Sequence, residues 1–320
     1  HAVLSRRGEA TGLALAASVV SSWQALDRAD HLTFFRRLIN EFGPDRDRLE
    51  FAIIDYQASP DEGAIMNLHQ AAEANRQELF RRINSAPNGL QTLILMREEL
   101  RKLSRDHPEL GPIDQDFIHL FTSWFNKGFL ELERINWQTS ATVLEKLIQY
   151  ESVHEIQGWD DLRRRLAEDR LCFAYFHPVI PDEPLIFVEV ALVQGMADAI
   201  APLLETEPVL PVDADTAVFY SINNCQPGLA GVSFGNLLIK QVVSVLQAQH
   251  PSLKNFVTLS PIPGLRRWLE SDGQMFLSRF EMAADKQDLK AIVAQYLTDG
   301  NGPKLRDPVA RFHLGNGATL

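Results

Sequence analysis

Cysteine is almost missing from the chain: Cys172 and Cys225 are the only two in 320 residues. Two thiols build neither a disulfide framework nor a four-cysteine zinc site, and both lie in apolar surroundings typical of buried, reduced thiols. A reducing bacterial cytoplasm or organelle matrix is therefore expected. Positive charge is also short, with 31 Lys and Arg against 42 Asp and Glu and a net charge of -11. The basic runs Arg81-Arg82, Arg163-Arg164-Arg165 and Arg266-Arg267 are scattered among acids. No nucleic-acid surface is expected, because a phosphate backbone needs clustered cations. Long apolar runs are missing too. Arg6-Arg7 and the run Leu13 to Val20 look like a signal peptide, but Ser21-Ser22-Trp23 offers no small-residue cleavage site, and the run is far short of the roughly 20 residues that span a bilayer. Neither secretion nor a membrane partner is expected.

Common catalytic signatures are absent as well. Neither Ser260 nor Ser221 sits in a GxSxG elbow, and no Walker A or GxGxxG spacing occurs. His154-Glu155 is not followed by a second histidine at metalloprotease spacing, and no His, Cys, Asp or Glu cluster has the spacing of metal ligands. No metal is expected.

With 45% hydrophobic residues the chain can bury a large core and is expected to form about two domains. From about residue 8 to 150, apolar residues recur at helical spacing: Leu32, Phe35, Leu38, Ile39 and Phe42, then Leu93, Leu95, Met96, Leu100 and Leu103, then Val143, Leu144, Leu147 and Ile148. Breaks at Gly43-Pro44, Ser59-Pro60, Ser85 to Gly89 and His107-Pro108 divide this region into about six to eight helices, with few strand signals. After a helix-like Trp159 to Ala167 the pattern changes to short apolar runs, Leu171 to Phe176, Leu185 to Leu192, Ala217 to Ile222 and Phe256 to Leu259, which read as central strands. The predicted organisation is α+β: an all-helical domain over 1–160, a scaffold or oligomer surface, and a second domain over 161–320.

The most informative stretch is Thr216 to Lys240, which reads as a buried strand, a glycine-bearing loop and an apolar helix. The first turn of such a helix presents unpaired N–H groups and the positive end of the dipole, so it favours an anion. Gly228, Gly231 and Gly235 would let the backbone approach that anion closely. A second strand, Asn255 to Ser260, ends in Pro261-Ile-Pro263-Gly264, a turn rigid enough to hold the Ser260 hydroxyl still. The same hydroxyl could instead cap its own backbone. His313 lies in Pro308-Val-Ala-Arg-Phe-His313-Leu-Gly, read as an alternating, strand-like segment. A serine and histidine within hydrogen-bond reach would polarise each other and could move a proton near neutral pH. Glu183 and Glu189 flank a strand and could be catalytic carboxylates, but Glu183 is expected to open the strand and Glu189 to point outward. Tyr220 and Ser221 read as core or substrate-lining residues.

Several blocks together resemble the malonyl-CoA decarboxylase family: Tyr150-Glu-Ser-Val-His154, His177-Pro178, Pro181 to Leu192, Phe219-Tyr-Ser-Ile, Gly228-Leu-Ala-Gly231, Leu238-Ile-Lys240, Leu259-Ser-Pro-Ile-Pro-Gly264, Trp268-Leu269 and Phe312-His-Leu-Gly-Asn-Gly317. The resemblance covers roughly residue 20 to the end. It implies a helical N-terminal domain joined to an α/β catalytic domain of the GCN5-related acetyltransferase type with a mixed central sheet. It further implies that Ser260 and His313 are a catalytic pair. The loop Gly231, Val232, Ser233, Phe234, Gly235 and Asn236 would hold the CoA pyrophosphate, with Tyr220 and Ser221 beside the substrate. Some members of the family carry a glutamate where this chain has Ser233. The family also continues beyond the position of Leu320 with a strand and a tyrosine-bearing segment. The implied reaction turns malonyl-CoA into acetyl-CoA and CO2. It needs no cofactor, because the thioester is its own electron sink, and the implied partners are an acyl-CoA and further copies of the chain. An acyl-CoA N-acyltransferase and a non-catalytic acyl-CoA-binding regulator are the alternatives.

Overall fold

The computed structural model describes residues 2–4, 9–208, 213–232, 235–282, 286–298 and 305–320. Seven helices come first: α1 (Glu9–Ala25), α2 (Arg28–Glu41), α3 (Arg46–Ala58), α4 (Glu62–Ala72), α5 (Asn75–Asn84), α6 (Gly89–Leu103) and α7 (Gly111–Trp124). They are followed by β1 (Glu131–Ile135), α8 (Ala141–Tyr150), α9 (Trp159–Arg165), β2 (Arg170–Phe176), β3 (Ile186–Val193), α10 (Ala201–Glu205) and β4 (Thr216–Asn224). The last elements are α11 (Gly235–Gln249), β5 (Asn255–Thr258), α12 (Leu265–Glu270), α13 (Gln274–Glu281), α14 (Lys286–Thr298) and α15 (Pro308–Gly315). This is the expected α+β class, with a helical region before an α/β part built on a mixed sheet. Strand β1 escapes the sequence reading because Glu131-Leu-Glu-Arg-Ile carries three charges. It occupies one end of the sheet order, where charged residues are tolerated and keep other strands from pairing. No helix among the described residues is long and apolar enough to cross a membrane.

The chain divides into two compact units. The first comprises His1–Glu133, Tyr175–Ile186 and Asn224–Phe234. Its helices start where the sequence supplies caps: the Asp27 carboxylate accepts from the N–H groups of Ala29 and Asp30, Asp45 from Arg48, and Asp61 from Ala64. Phe80 of α5 stacks on Phe117 of α7 with centroids 4.2 Å apart, and the buried Arg76 and Asp116 pair at 2.5 Å. The α6 stripe contains one charged residue, Arg97, which is fully buried. Its guanidinium donates to Asp114 at 2.8 Å and to the carbonyl of Gly228 at 2.7 Å. Gly228 lies in a short helical turn, Pro227–Leu229, and a Cβ there would come within 2.1 Å of the Ile94 carbonyl oxygen. The glycine therefore permits close packing on α6, rather than the approach to an anion expected from the sequence.

The second unit comprises Arg134–Ala174, Phe187–Asn223 and Gly235–Leu320. The sheet order is β1-β2-β3-β4-β5. Bonds from Leu185 N–H to Tyr175 C=O and from Leu192 N–H to Asp169 C=O make β2 and β3 antiparallel. Bonds from Asp215 N–H to Val193 C=O and from Cys225 N–H to Leu185 C=O do the same for β3 and β4. β5 returns parallel to β4 after α11, in the register Thr216↔Asn255 to Phe219↔Thr258. Every residue of β2 is buried, as its unbroken apolar run requires. β5, expected to be central, stands at the other end of the order and is only half-buried, since Asn255 and Thr258 face out. Both cysteines are buried, and neither is in a disulfide.

Replacing Gly228 by alanine places a methyl group against main chain that cannot rotate away. Gly228→Ala is expected to lower unfolding free energy by about 3 kcal/mol, the upper end of ordinary overpacking, measured by urea titration. A loss below about 0.5 kcal/mol would show that the turn does not depend on this contact.

Candidate active site

The geometry begins where the β4–β5 ladder ends. Leu259 N–H donates to Phe219 C=O at 2.9 Å, and the next residue is Ser260. Pro261 and Pro263 have no N–H to offer, so the chain leaves the sheet and enters α12 after Gly264. His313 does not lie on a strand, as the alternation suggested, but in the last turn of α15. The cause is local: the Asp307 carboxylate accepts from the N–H groups of Val309 and Ala310, both at 2.9 Å, and Pro308 takes the first helical position. A capped start outweighs five alternating residues.

The two residues meet. Ser260 Oγ lies 3.0 Å from His313 Nε2, and both side chains are half-buried. Burial holds the His313 ring below its ordinary pKa of 6.5, so it is neutral at neutral pH. A neutral ring accepting the serine proton at Nε2 carries its own proton on Nδ1. The pair faces a cavity of about 670 Å³ whose walls include Phe256, Ile262, Leu297, Val309 and Leu314. A hydroxyl and an imidazole held at bonding distance in a mainly apolar cavity can orient an anionic group and pass a proton.

The glycine loop is partly described. Gly231 adopts φ +84°, which other residues resist, and Val232 N–H closes a turn on Leu229 C=O at 3.0 Å. Ser233 and Phe234 lie outside the described residues, as does the side chain of Asn236. α11 starts at Gly235 and buries Leu238, Val242 and Leu246, one per turn. Its first N–H groups have no partners within the helix, which is what an anion requires.

Tyr220 and Ser221 are both buried on β4. Ser221 Oγ donates to Glu151 at 2.7 Å, as does Asn223 at 2.7 Å, while the other Glu151 oxygen accepts from the N–H groups of Val153 and His154. The Tyr220 hydroxyl is buried without a partner among the described residues. Glu183 precedes β3 and accepts from Gln91 and Gln226. Glu189, expected to point outward, is 1% exposed and accepts from Arg165 at 2.9 Å. Burial, with Glu151 nearby, pushes the Glu189 carboxyl up to about 8 against the pull of Arg165. The sequence reading missed Glu151, Arg165 and Arg97. Arg97 does leave a sign, because it falls on the apolar face four residues after Leu93 and three before Leu100.

Comparison with known proteins identifies the family. Residues 42–125 match the malonyl-CoA decarboxylase N-terminal domain, and residues 128–287 match the malonyl-CoA decarboxylase C-terminal domain. The chain belongs to the malonyl-CoA decarboxylase family. It is a carboxy-lyase, as the resemblance implied. The mitochondrial malonyl-CoA decarboxylase of Anser anser anser is 32% identical over 340 residues, covering 88% of this chain and 68% of that protein. The Mus musculus enzyme is 29% identical over 344 residues, covering 89% and 69%. The crystal structure of malonyl-CoA decarboxylase from Rhodopseudomonas palustris is similar with TM-score 0.90 and 49% identity, over 99% of this chain and 84% of that one. The structure from Agrobacterium vitis gives 0.90 and 46% over the same shares. Within the malonyl-CoA decarboxylase match, Ser260 falls inside the C-terminal domain segment, while His313 follows it.

The buried carboxyl makes stability depend on pH in a definite direction. The unfolded chain releases the Glu189 proton near 4.5, whereas the folded chain keeps it to about 8. This contribution is therefore present in full below 4.5 and is lost as pH rises from there to about 8. Glu189→Gln is expected to reduce the difference in unfolding free energy between pH 5 and pH 8 in urea titrations. An unchanged difference would contradict this origin.

Proposed function

We propose that this chain converts malonyl-CoA to acetyl-CoA and CO2 at the Ser260–His313 pair. The observation that carries the reading is the 3.0 Å contact between Ser260 Oγ and His313 Nε2 beside the 670 Å³ cavity. When the bond between C2 and the carboxylate breaks, its electrons move onto the thioester oxygen and CO2 departs. The resulting enolate then takes one proton at C2. The substrate is its own electron sink, so the reading calls for no metal, biotin or pyridoxal phosphate. The pair orients the carboxylate and relays to C2 one proton taken up from solvent. Apolar neighbours such as Ile262 and Leu314 disfavour the localised carboxylate more than the delocalised enolate. N–H groups in and beside the loop of Gly231, Val232, Ser233, Phe234, Gly235 and Asn236 stabilise the oxyanion and hold the CoA pyrophosphate. Tyr220 and Ser221 line the substrate through their main chain, the Ser221 hydroxyl being committed to Glu151. A CoA thioester substrate suits a cytoplasm or an organelle matrix.

The helical region supports a second part of the reading, self-association. The adjoining helices α3 and α4 expose Phe51 at 73%, Ile54 at 58% and Met66 at 60%, an apolar surface suited to another copy of the chain. Light scattering at micromolar concentration is expected to give a multimer that Phe51→Glu or Met66→Glu dissociates. A monomeric wild type would remove this part.

Incubated with malonyl-CoA and no added cofactor, the wild type is expected to form acetyl-CoA. Ser260→Ala and His313→Ala should each lower kcat roughly 10²–10⁴-fold, the usual range for a proton-transfer group. Because burial holds His313 below 6.5, the acid limb of kcat/KM should lie below that pH. Undiminished turnover in both variants, or an acid limb above 6.5, would refute the assignment. Free CoA in place of acetyl-CoA would mark an N-acyltransferase, and bound but intact malonyl-CoA a binding protein.

A further inference from the structure

We propose that Tyr296 and Asp307 form a clasp that sets the separation of Ser260 and His313, which makes both of them positioning residues. The proposal rests on the reading of that pair given above. Its basis is a chain of contacts running from one member of the pair to the other. Gly264 ends the rigid turn that begins immediately after Ser260. A Cβ on Gly264 would lie 2.0 Å from the Tyr296 hydroxyl oxygen and 3.6 Å from the Asp307 carboxylate, so that oxygen is seated directly against the turn. The hydroxyl donates to Asp307 Oδ2 at 3.1 Å. The other carboxylate oxygen accepts from Val309 and Ala310 N–H and so fixes the start of the helix whose last turn carries His313. Arg311 N–H adds a bond to the Asp307 carbonyl at 3.0 Å.

Tyr296 and Asp307 are each 2% exposed. A buried carboxylate is costly to desolvate unless its acceptor sites are filled, and here three donors fill them. The directions of those donors leave Asp307 little freedom, and through the cap they orient α15. The Tyr296 ring is held independently of its hydroxyl, since it packs against Trp268, with centroids 5.3 Å apart, in a cluster with Leu269 and Ile292. The hydroxyl can therefore be removed while the ring stays in place. A residue that merely stabilises the fold would lower the melting temperature without altering the Ser260 to His313 bond. A positioning residue alters that bond, and misplacement of a reacting group by a fraction of an ångström is felt mainly in kcat.

The experiment is Tyr296→Phe in the full chain, beside Ile292→Val as a packing control from the same cluster. Tyr296→Phe should lower kcat for malonyl-CoA about ten-fold with KM changed less than about two-fold, while Ile292→Val lowers the melting temperature and leaves kcat unchanged. In a Ser260→Ala background, Tyr296→Phe should cause no further loss, because the bond it positions is already gone. Asp307→Asn, which keeps the cap, should retain more activity than Asp307→Ala. The imidazole nitrogen signals of His313 in NMR spectra should shift in Tyr296→Phe and not in Ile292→Val. Wild-type kcat in Tyr296→Phe, an equal proportional loss with and without Ser260, or an unmoved His313 signal would overturn the clasp. Full activity in Ser260→Ala and His313→Ala would instead overturn the reading of the pair, and the NMR comparison would still decide whether the clasp holds its geometry.

Discussion

The hydrogen bond from Leu259 N–H to Phe219 C=O is the last rung of the β4–β5 ladder, and the site depends on where that ladder stops. β4 continues to Asn224, held on its other side by β3, but the chain after Leu259 cannot follow it. Ser260 is succeeded by two prolines within three residues, each without an N–H, so the backbone must turn out of the sheet there. That exit places a hydroxyl at the margin of a buried sheet, where neighbouring helices can enclose it. The ring of His313 reaches the hydroxyl from α15, whose direction is set by the Asp307 cap.

Buried charge holds irregular segments in place. Glu151 lies just after α8, outside any regular element, and gathers four donors: two main-chain N–H groups of its own loop and two side chains of β4. The loop is thereby tied to the strand by contacts with strict directions, which apolar packing alone does not supply. Arg97 does the same for the Pro227–Leu229 turn through the Gly228 carbonyl. Arg165 combines the roles: it pairs with Asp161 on its own helix, reaches Glu189 on β3, and donates to the carbonyl of His154. Such groups are costly to bury, and each persists because its partners offset the loss of hydration.

Much of the architecture is legible because it depends on short-range patterns. Continuous apolar runs mark β2, β3 and β4, since a strand covered on both faces has no polar side. The breaks at Gly43-Pro44 and Ser59-Pro60 fall between α2 and α3 and between α3 and α4. The strand–loop–helix–strand unit from Thr216 to Thr258 can be read for the same reason, as can the rigid turn after Ser260. Where local signals conflict, the reading goes astray. Five alternating residues around His313 suggested a strand, but Asp307-Pro308 is a stronger local statement, because a filled cap and a preset φ act directly on the helix nucleus. Glu131-Leu-Glu-Arg-Ile hid a strand because an outer position needs little apolar surface.

The sequence alone determined the family, the run of helices ahead of strands β2 to β5, the turn that follows Ser260 and the glycine that allows the φ of Gly231. All of these follow from residues close together in the chain. Only the tertiary structure decided that Glu189 is buried against Arg165, that Gly228 is shaped by Ile94, and that Ser260 and His313, separated by 53 positions, come within 3.0 Å. Those contacts join residues far apart in sequence, and they form only when burial, close packing and the filling of every buried donor and acceptor are satisfied together.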